Sequence, residues 1–141
     1  MKLAFVSTYP PTQCGIGIYT RKLARALAEG AHPPALTIVA ERDGYAAYDD
    51  EGIRCEPIYE RGEDYVEPIL GALRAAKIEI VHFQHAPDLF GEDARFVRLL
   101  AAAQAAGIAT VITPHTVHGE SHRERHRQLG AHADALIAHQ Q

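Results

Sequence analysis

The stretch Leu3–Leu27, "LAFVSTYPPTQCGIGIYTRKLARAL", carries the first decision about the fold. Leu3-Ala4-Phe5-Val6 is apolar without polar alternation, as expected of a parallel strand buried on both faces. A loop with two prolines, Cys14 and Gly15-Ile16-Gly17 follows. Ile16, Tyr19, Leu23 and Leu27 then recur at helical spacing, and Gly30 supplies a stop. Strand, glycine-containing loop and helix in that order open a βαβ unit.

The remaining chain repeats the pattern. Leu36–Ala40 reads as a strand, "ERDGYAAYDDEG" as a long polar loop, and Ile53–Ile58 as a weaker strand, placed at an edge by Pro57. Val66, Ile69, Leu70 and Leu73 define a second helix, with Asp64-x-x-Glu67 as its N-terminal signal. Strand Ile78–Phe83, loop Gln84–Gly91, and a helix with Phe96, Leu99, Leu100 and Ala103 on one face come next. Strand Ile108–Thr113, loop Pro114–Glu120, a polar helix from Ser121 and a last strand, Asp134–Ala138, complete the chain. The expectation is one α/β domain over residues 1–141, a Rossmann-like three-layer αβα sandwich with a mostly parallel sheet. In such sheets ligands gather beyond the carboxyl ends of the strands. The loops Ser7–Gly17, Gln84–Gly91 and Pro114–Glu120 all belong there, which points to a single site.

Composition narrows the class. The 141 residues carry a net charge of −4, which gives no electrostatic reason to expect nucleic acid as a partner. Apolar runs are strand-sized, so none spans a bilayer. Met1-Lys2 leads directly into a strand, without the apolar region of a signal peptide. A cytoplasmic protein is expected, with peripheral contact at the inner face of the membrane left open. Cys14 and Cys55 do not make a disulfide framework.

Several chemistries compete for the loops. Gly15 and Gly17 can bring backbone N–H groups to a helix N-terminus, a seat for phosphate or another oxygen-rich ligand; alternatively they serve only the turn. A nicotinamide-cofactor fingerprint fails, because Thr20 stands at the third glycine position and eight residues separate Val6 from Gly15. Only Glu41, ending the second strand, keeps a ribose contact in play. Cys14 at the helix mouth reads as a small half-buried thiol rather than a nucleophile. Seven of the nine histidines lie between His82 and His132. His118, His122 and His126 have the spacing of a metal cluster, but His118 precedes the expected helix and no third ligand is evident, so no metal is expected. His82 falls inside a strand and reads as a satisfied core side chain. His85 and His115 follow strands at their carboxyl ends, where a neutral imidazole can hydrogen-bond a hydroxyl or a developing charge; structural hydrogen bonding is the alternative.

The opening stretch resembles the start of family 4 glycosyltransferases, enzymes of the GT-B fold. "IVHFQHAPDLFG", "TVITPHTVHGE" and "LGAHADALIAHQ" resemble three later segments of that family, in the same order. The resemblance implies transfer of a sugar from a nucleotide-sugar donor to an acceptor hydroxyl, with retention of configuration and without a cofactor or bound metal. It implies that this chain is the N-terminal, acceptor-side half, with His115 facing the reacting sugar. Gly15 and Gly17 would approach donor phosphates or acceptor, His85 would line the acceptor side, and Thr116 is a further candidate. The implied partners are a C-terminal donor-binding domain and a sugar or lipid-linked acceptor; a dimer through the exposed cleft face is an alternative closure. Two departures stand out. Ala86 replaces the glutamate common after the family's loop histidine, and no glutamate pair has the Glu-x7-Glu spacing of the donor domain. This half alone should therefore be inactive, and a stand-alone binding or regulatory module with the same fold is the alternative function.

Overall fold

The computed structural model describes residues 1–91, 94–115 and 120–139. Twelve elements follow in order: β1 (Lys2–Ser7), α1 (Gly15–Ala28), β2 (Ala35–Glu41), β3 (Tyr48–Asp50), β4 (Ile53–Tyr59), α2 (Val66–Ala75), β5 (Ile80–His85), α3 (Pro87–Phe90), α4 (Arg95–Ala105), β6 (Ala109–Pro114), α5 (Glu120–His132) and β7 (Ala135–Leu136). The strands form one sheet in the order β3-β4-β2-β1-β5-β6-β7, parallel throughout except for β3. This is an α/β chain compatible with a Rossmann-like fold. Among the described residues no helix is long and apolar enough to cross a membrane.

Alternation along the strands divides the apolar residues between two clusters. Ala4 and Val6 of β1, Val81 and Phe83 of β5 and Ile112 of β6 pack with Ile69 and Leu73 of α2 and with Leu99 and Leu100 of α4. Phe5, Ile38, Ala40 and Cys55 pack instead with Ala24, Leu23 and Leu27 of α1. Residues of opposite parity point to opposite faces, so each cluster covers one face of the sheet.

The buried face of α1 is built from Gly17, Thr20 and Ala24, whereas Ile16, Tyr19 and Leu23 are only partly buried. Small residues let the helix approach the sheet closely. A Cβ at Gly17 would lie 3.2 Å from the backbone C and O of Thr8 and the N of Tyr9. Backbone atoms cannot swing aside as a side chain can. Gly17→Ala should therefore destabilise the chain by about 1–3 kcal/mol, read as a lowered urea midpoint. Gly15 has nothing within 4 Å of its Cβ position, so Gly15→Ala should shift stability by no more than about 0.5 kcal/mol.

The polar stretch after β2 contains more structure than its sequence suggests. Tyr48–Asp50 pairs antiparallel with Ile53–Tyr59 across a two-residue turn, Glu51-Gly52, whose φ values are both positive at 56° and 90°. That is the backbone hand hairpins prefer, with Glu in place of the usual Asn or Asp. β3 therefore takes the sheet edge, and β4 is an inner strand. Pro57 is accommodated because the β2–β4 register shifts beside it, between Ala40 and Glu41. The hairpin is tied to the rest of the fold by Asp50, which is 7% exposed. Its carboxylate accepts bonds from Tyr9 Oη at 2.9 Å, Arg21 Nε at 3.0 Å and Arg25 at 3.0 Å.

Two strand boundaries also move. β5 runs to His85 rather than stopping at Phe83, and β6 runs to Pro114. The last strand shrinks to Ala135–Leu136, and the loop after β5 holds a single helical turn, α3. The shift at β5 decides which histidines share a site.

Candidate functional site

Chain order reverses at β1, with β2 on one side and β5 on the other. A crevice beyond the carboxyl ends of strands at such a reversal is where open α/β sheets bind ligands. Here it is a cleft of about 420 Å³ lined by Cys14, Gly15, Ile16, Tyr19, Arg61, Ala86, Asp88, Leu89 and His115. That volume lies within the range of small-molecule sites, roughly 300–1,000 Å³.

One wall is the N-terminus of α1. The first helical hydrogen bond runs from Ile18 N to Cys14 O at 3.0 Å, leaving the N–H groups of Gly15, Ile16 and Gly17 without helical acceptors. Gly15 is exposed and opens onto the cleft, while Gly17 is buried against Thr8 and Tyr9. The two glycines thus have different work: Gly15 exposes the helix end, and Gly17 seats the helix. Arg61 also lines the cleft, and its Nε and one terminal nitrogen bind the Glu41 carboxylate at 2.9 and 2.8 Å. Glu41 is consequently engaged by a guanidinium, not free for a ribose.

His115 forms the other wall. Its Nε2 is 2.6 Å from Gln84 Oε1; Gln84 Nε2 is 3.4 Å from His82 Nε2, which is 2.7 Å from Thr113 Oγ1. One assignment satisfies the whole chain of contacts: Thr113 and the Gln84 amide donate to His82 Nε2, and His115 Nε2–H donates to Gln84 Oε1. Nδ1 of His115 then carries the ring's lone pair. Burial, with His139 nearby, holds the His115 imidazole below its ordinary range, which favours the neutral form. Tyr19 packs its ring edge-on to His115 at 5.1 Å, and His139 lies 5.3 Å away.

His85 lies elsewhere. As the last residue of β5 it has the parity of Val81 and Phe83, so its ring lies between Phe90 at 5.7 Å and Phe96 at 4.6 Å. It is 3% exposed and lines a separate cavity of only about 70 Å³ with Arg125 and Gln128. The two histidine loops still meet through the backbone, His115 N donating to His85 O at 2.8 Å. It is Gln84, not His85, whose side chain reaches His115, and strand parity is the reason. Of the residues singled out from the sequence, Gly15 and His115 share the cleft; Gly17 and the His85 ring do not line it. Thr116 and His118 lie outside the described residues. Among those described, no three His, Cys, Asp or Glu side chains group as a metal ion would require.

Arg61, Tyr19, Asp88 and Gln84 were not singled out as site residues. Gln84 had a signal, since it directly precedes a histidine at a strand end. Arg61 had none, because it reaches the cleft from a loop after β4. Compared with protein-family models, curated proteins and solved structures, the chain finds no match. Its function must be argued from the site.

Proposed function

We propose that this chain is the N-terminal, acceptor-side domain of a GT-B-type glycosyltransferase, a three-layer αβα half that works against a separate donor-binding domain. One observation carries the reading: Gly15, at the open N-terminus of α1, and the neutral His115 face one cleft at the reversal point of the sheet. The chemistry of sugar transfer needs both. Negative charge develops on the phosphate of a departing nucleotide, and free N–H groups at a helix end stabilise an anion. The accepting hydroxyl needs a neutral acceptor to orient it, which His115 Nδ1 supplies. Arg61 adds a positive charge on the same cleft, moderated by Glu41.

The flanks of the cleft support a closing partner. Ile18, beside Tyr19, is 51% exposed, and Ile137, two residues before His139, is 45% exposed. Apolar side chains left open around a ligand cleft suit a second domain, or a second copy of this chain.

The test is a donor screen of the full-length gene product. It is incubated with a panel of uridine- and guanosine-diphosphate sugars and candidate acceptors, and products are read by mass spectrometry. A sugar-sized mass gain on an acceptor is the expected result. Sugar binding without transfer from any donor would instead favour the non-catalytic module.

A further inference from the structure

We propose that the small cavity beside His85 binds a compact tetrahedral oxyanion, a free phosphate or sulfate ion, at a site separate from the cleft. The inference does not depend on sugar transfer. It rests on a buried imidazole nitrogen that the fold leaves without a partner.

His85 closes β5 on the face of Val81 and Phe83, and the rings of Phe90 and Phe96 pack against its imidazole. The residue is 3% exposed, and its Nδ1 is buried with no hydrogen-bond partner. Buried polar atoms are nearly always satisfied, so an orphan in the wall of a cavity marks a place for a bonding group. Phe96, Val97 and Leu129 supply the apolar part of that wall, and Arg125 and Gln128 of α5 its other polar side chains.

Size and charge select the occupant. The cavity of about 70 Å³ exceeds the roughly 10–15 Å³ that one water needs. It falls far below the ~300 Å³ at which small-molecule sites begin. A tetrahedral oxyanion is of that order; a sugar or a nucleotide is not. Among the described residues lining the cavity none is Asp or Glu, whereas Arg125 brings a guanidinium. Glu124, one turn before Gln128, is bound by Arg127 at 2.7 Å and lies outside the lining. The Gln128 amide reaches Glu124 Oε1 only at 3.4 Å, a weak bond. Imidazole, guanidinium and carboxamide are all N–H donors, and the apolar wall strengthens their pull on an anion.

The protonation state agrees with this geometry. Burial, with His126, Arg125 and His115 acting on the ring, lowers the His85 imidazole to about 4. At pH 7 it is neutral and carries one N–H, which on Nδ1 finds its acceptor in the anion. A bound anion offsets the repulsion from Arg125 and the neighbouring histidines. It should therefore raise the pH at which His85 takes up a proton.

In the test, the protein is titrated at pH 7 with millimolar sodium sulfate and, separately, with inorganic phosphate, ionic strength being held constant with sodium chloride. NMR follows the His85 ring and the amides of Phe96, Gln128 and Leu129. Saturable shifts at these groups are expected with the oxyanions, and none with chloride alone. Arg125 is only half-buried, so Arg125→Gln should fold. It should weaken the affinity roughly tenfold, the effect of losing one charge-assisted contact. In sulfate, whose charge is fixed, the His85 ring should titrate at higher pH than in chloride. Shifts that stay linear with concentration, or that chloride reproduces, would mean that ordered water alone fills the cavity and would overturn the proposal. So would a saturable shift that Arg125→Gln leaves unchanged. Saturation confined to Gly15, Ile16 and Tyr19 would overturn it as well while leaving the reading of the cleft intact. Saturation at the His85 groups upholds the site whether or not sugar transfer is found.

Discussion

Replacing His115 with alanine in the full-length gene product should lower turnover by roughly 10²–10³, the effect of removing one group aimed at developing charge or a reacting hydroxyl. Stability should change far less. The ring is only partly buried, and its main polar contact is the 2.6 Å bond to Gln84 Oε1. Losing it leaves one carbonyl oxygen beside an open cleft, where water can replace the imidazole, so the cost should stay near about 1 kcal/mol. A purely structural His115 would behave differently, with activity and unfolding temperature falling together. Kinetics and thermal melts on the same preparation separate the two.

Acid should destabilise the fold well before its carboxylates titrate. His82 and His85 are 6% and 3% exposed, and burial lowers both to about 4. In the unfolded chain they titrate near ~6.5. A group whose folded pKa is depressed in this way binds more protons when unfolded, so stability rises with pH. For these histidines it is complete above the unfolded value and is lost as pH falls from there toward about 4. Each can cost up to about 3 kcal/mol across that window. His115 acts in the same direction. Asp50 and Asp134, both held below the ordinary carboxylate range, lose their contributions only at lower pH. Urea unfolding at stepped pH should therefore show a loss of several kcal/mol between about pH 6.5 and 4. His85→Leu should remove about half of it. A flat profile over that window would mean that these histidines are not buried as described.

The sheet was legible because its strands are plain: short apolar runs such as Leu3–Val6 and Leu36–Ala40, the second broken only by Thr37, admit few other readings. The second helix was equally clear from Val66, Ile69, Leu70 and Leu73, all of which are buried. What escaped was decided by parity and by distance. Ending β5 at Phe83 made His85 a loop residue free to turn toward the cleft; as a strand residue it is bound to the face of Val81 and Phe83, and Gln84 takes the other side. β3 escaped because three residues joined through Glu51-Gly52 lack both the length and the usual turn pair of a hairpin signal. Gly15 and Gly17 were indistinguishable as letters, since only the packing of Thr8 and Tyr9 tells the open glycine from the buried one. Arg61 comes from a distant loop, and no local pattern could have announced it.

The most direct test of the site is amide mapping of the described chain by NMR, titrated with uridine- and guanosine-diphosphate sugars and with free monosaccharide acceptors at millimolar concentrations. The account predicts that perturbed amides cluster at Gly15, Ile16, Tyr19, Ala86, Asp88 and His115, at the carboxyl ends of β1, β5 and β6. Perturbations gathered instead at Tyr45, Ala46 and Tyr48 in the cavity beside the β3–β4 hairpin, with the α1 N-terminus unmoved, would contradict it.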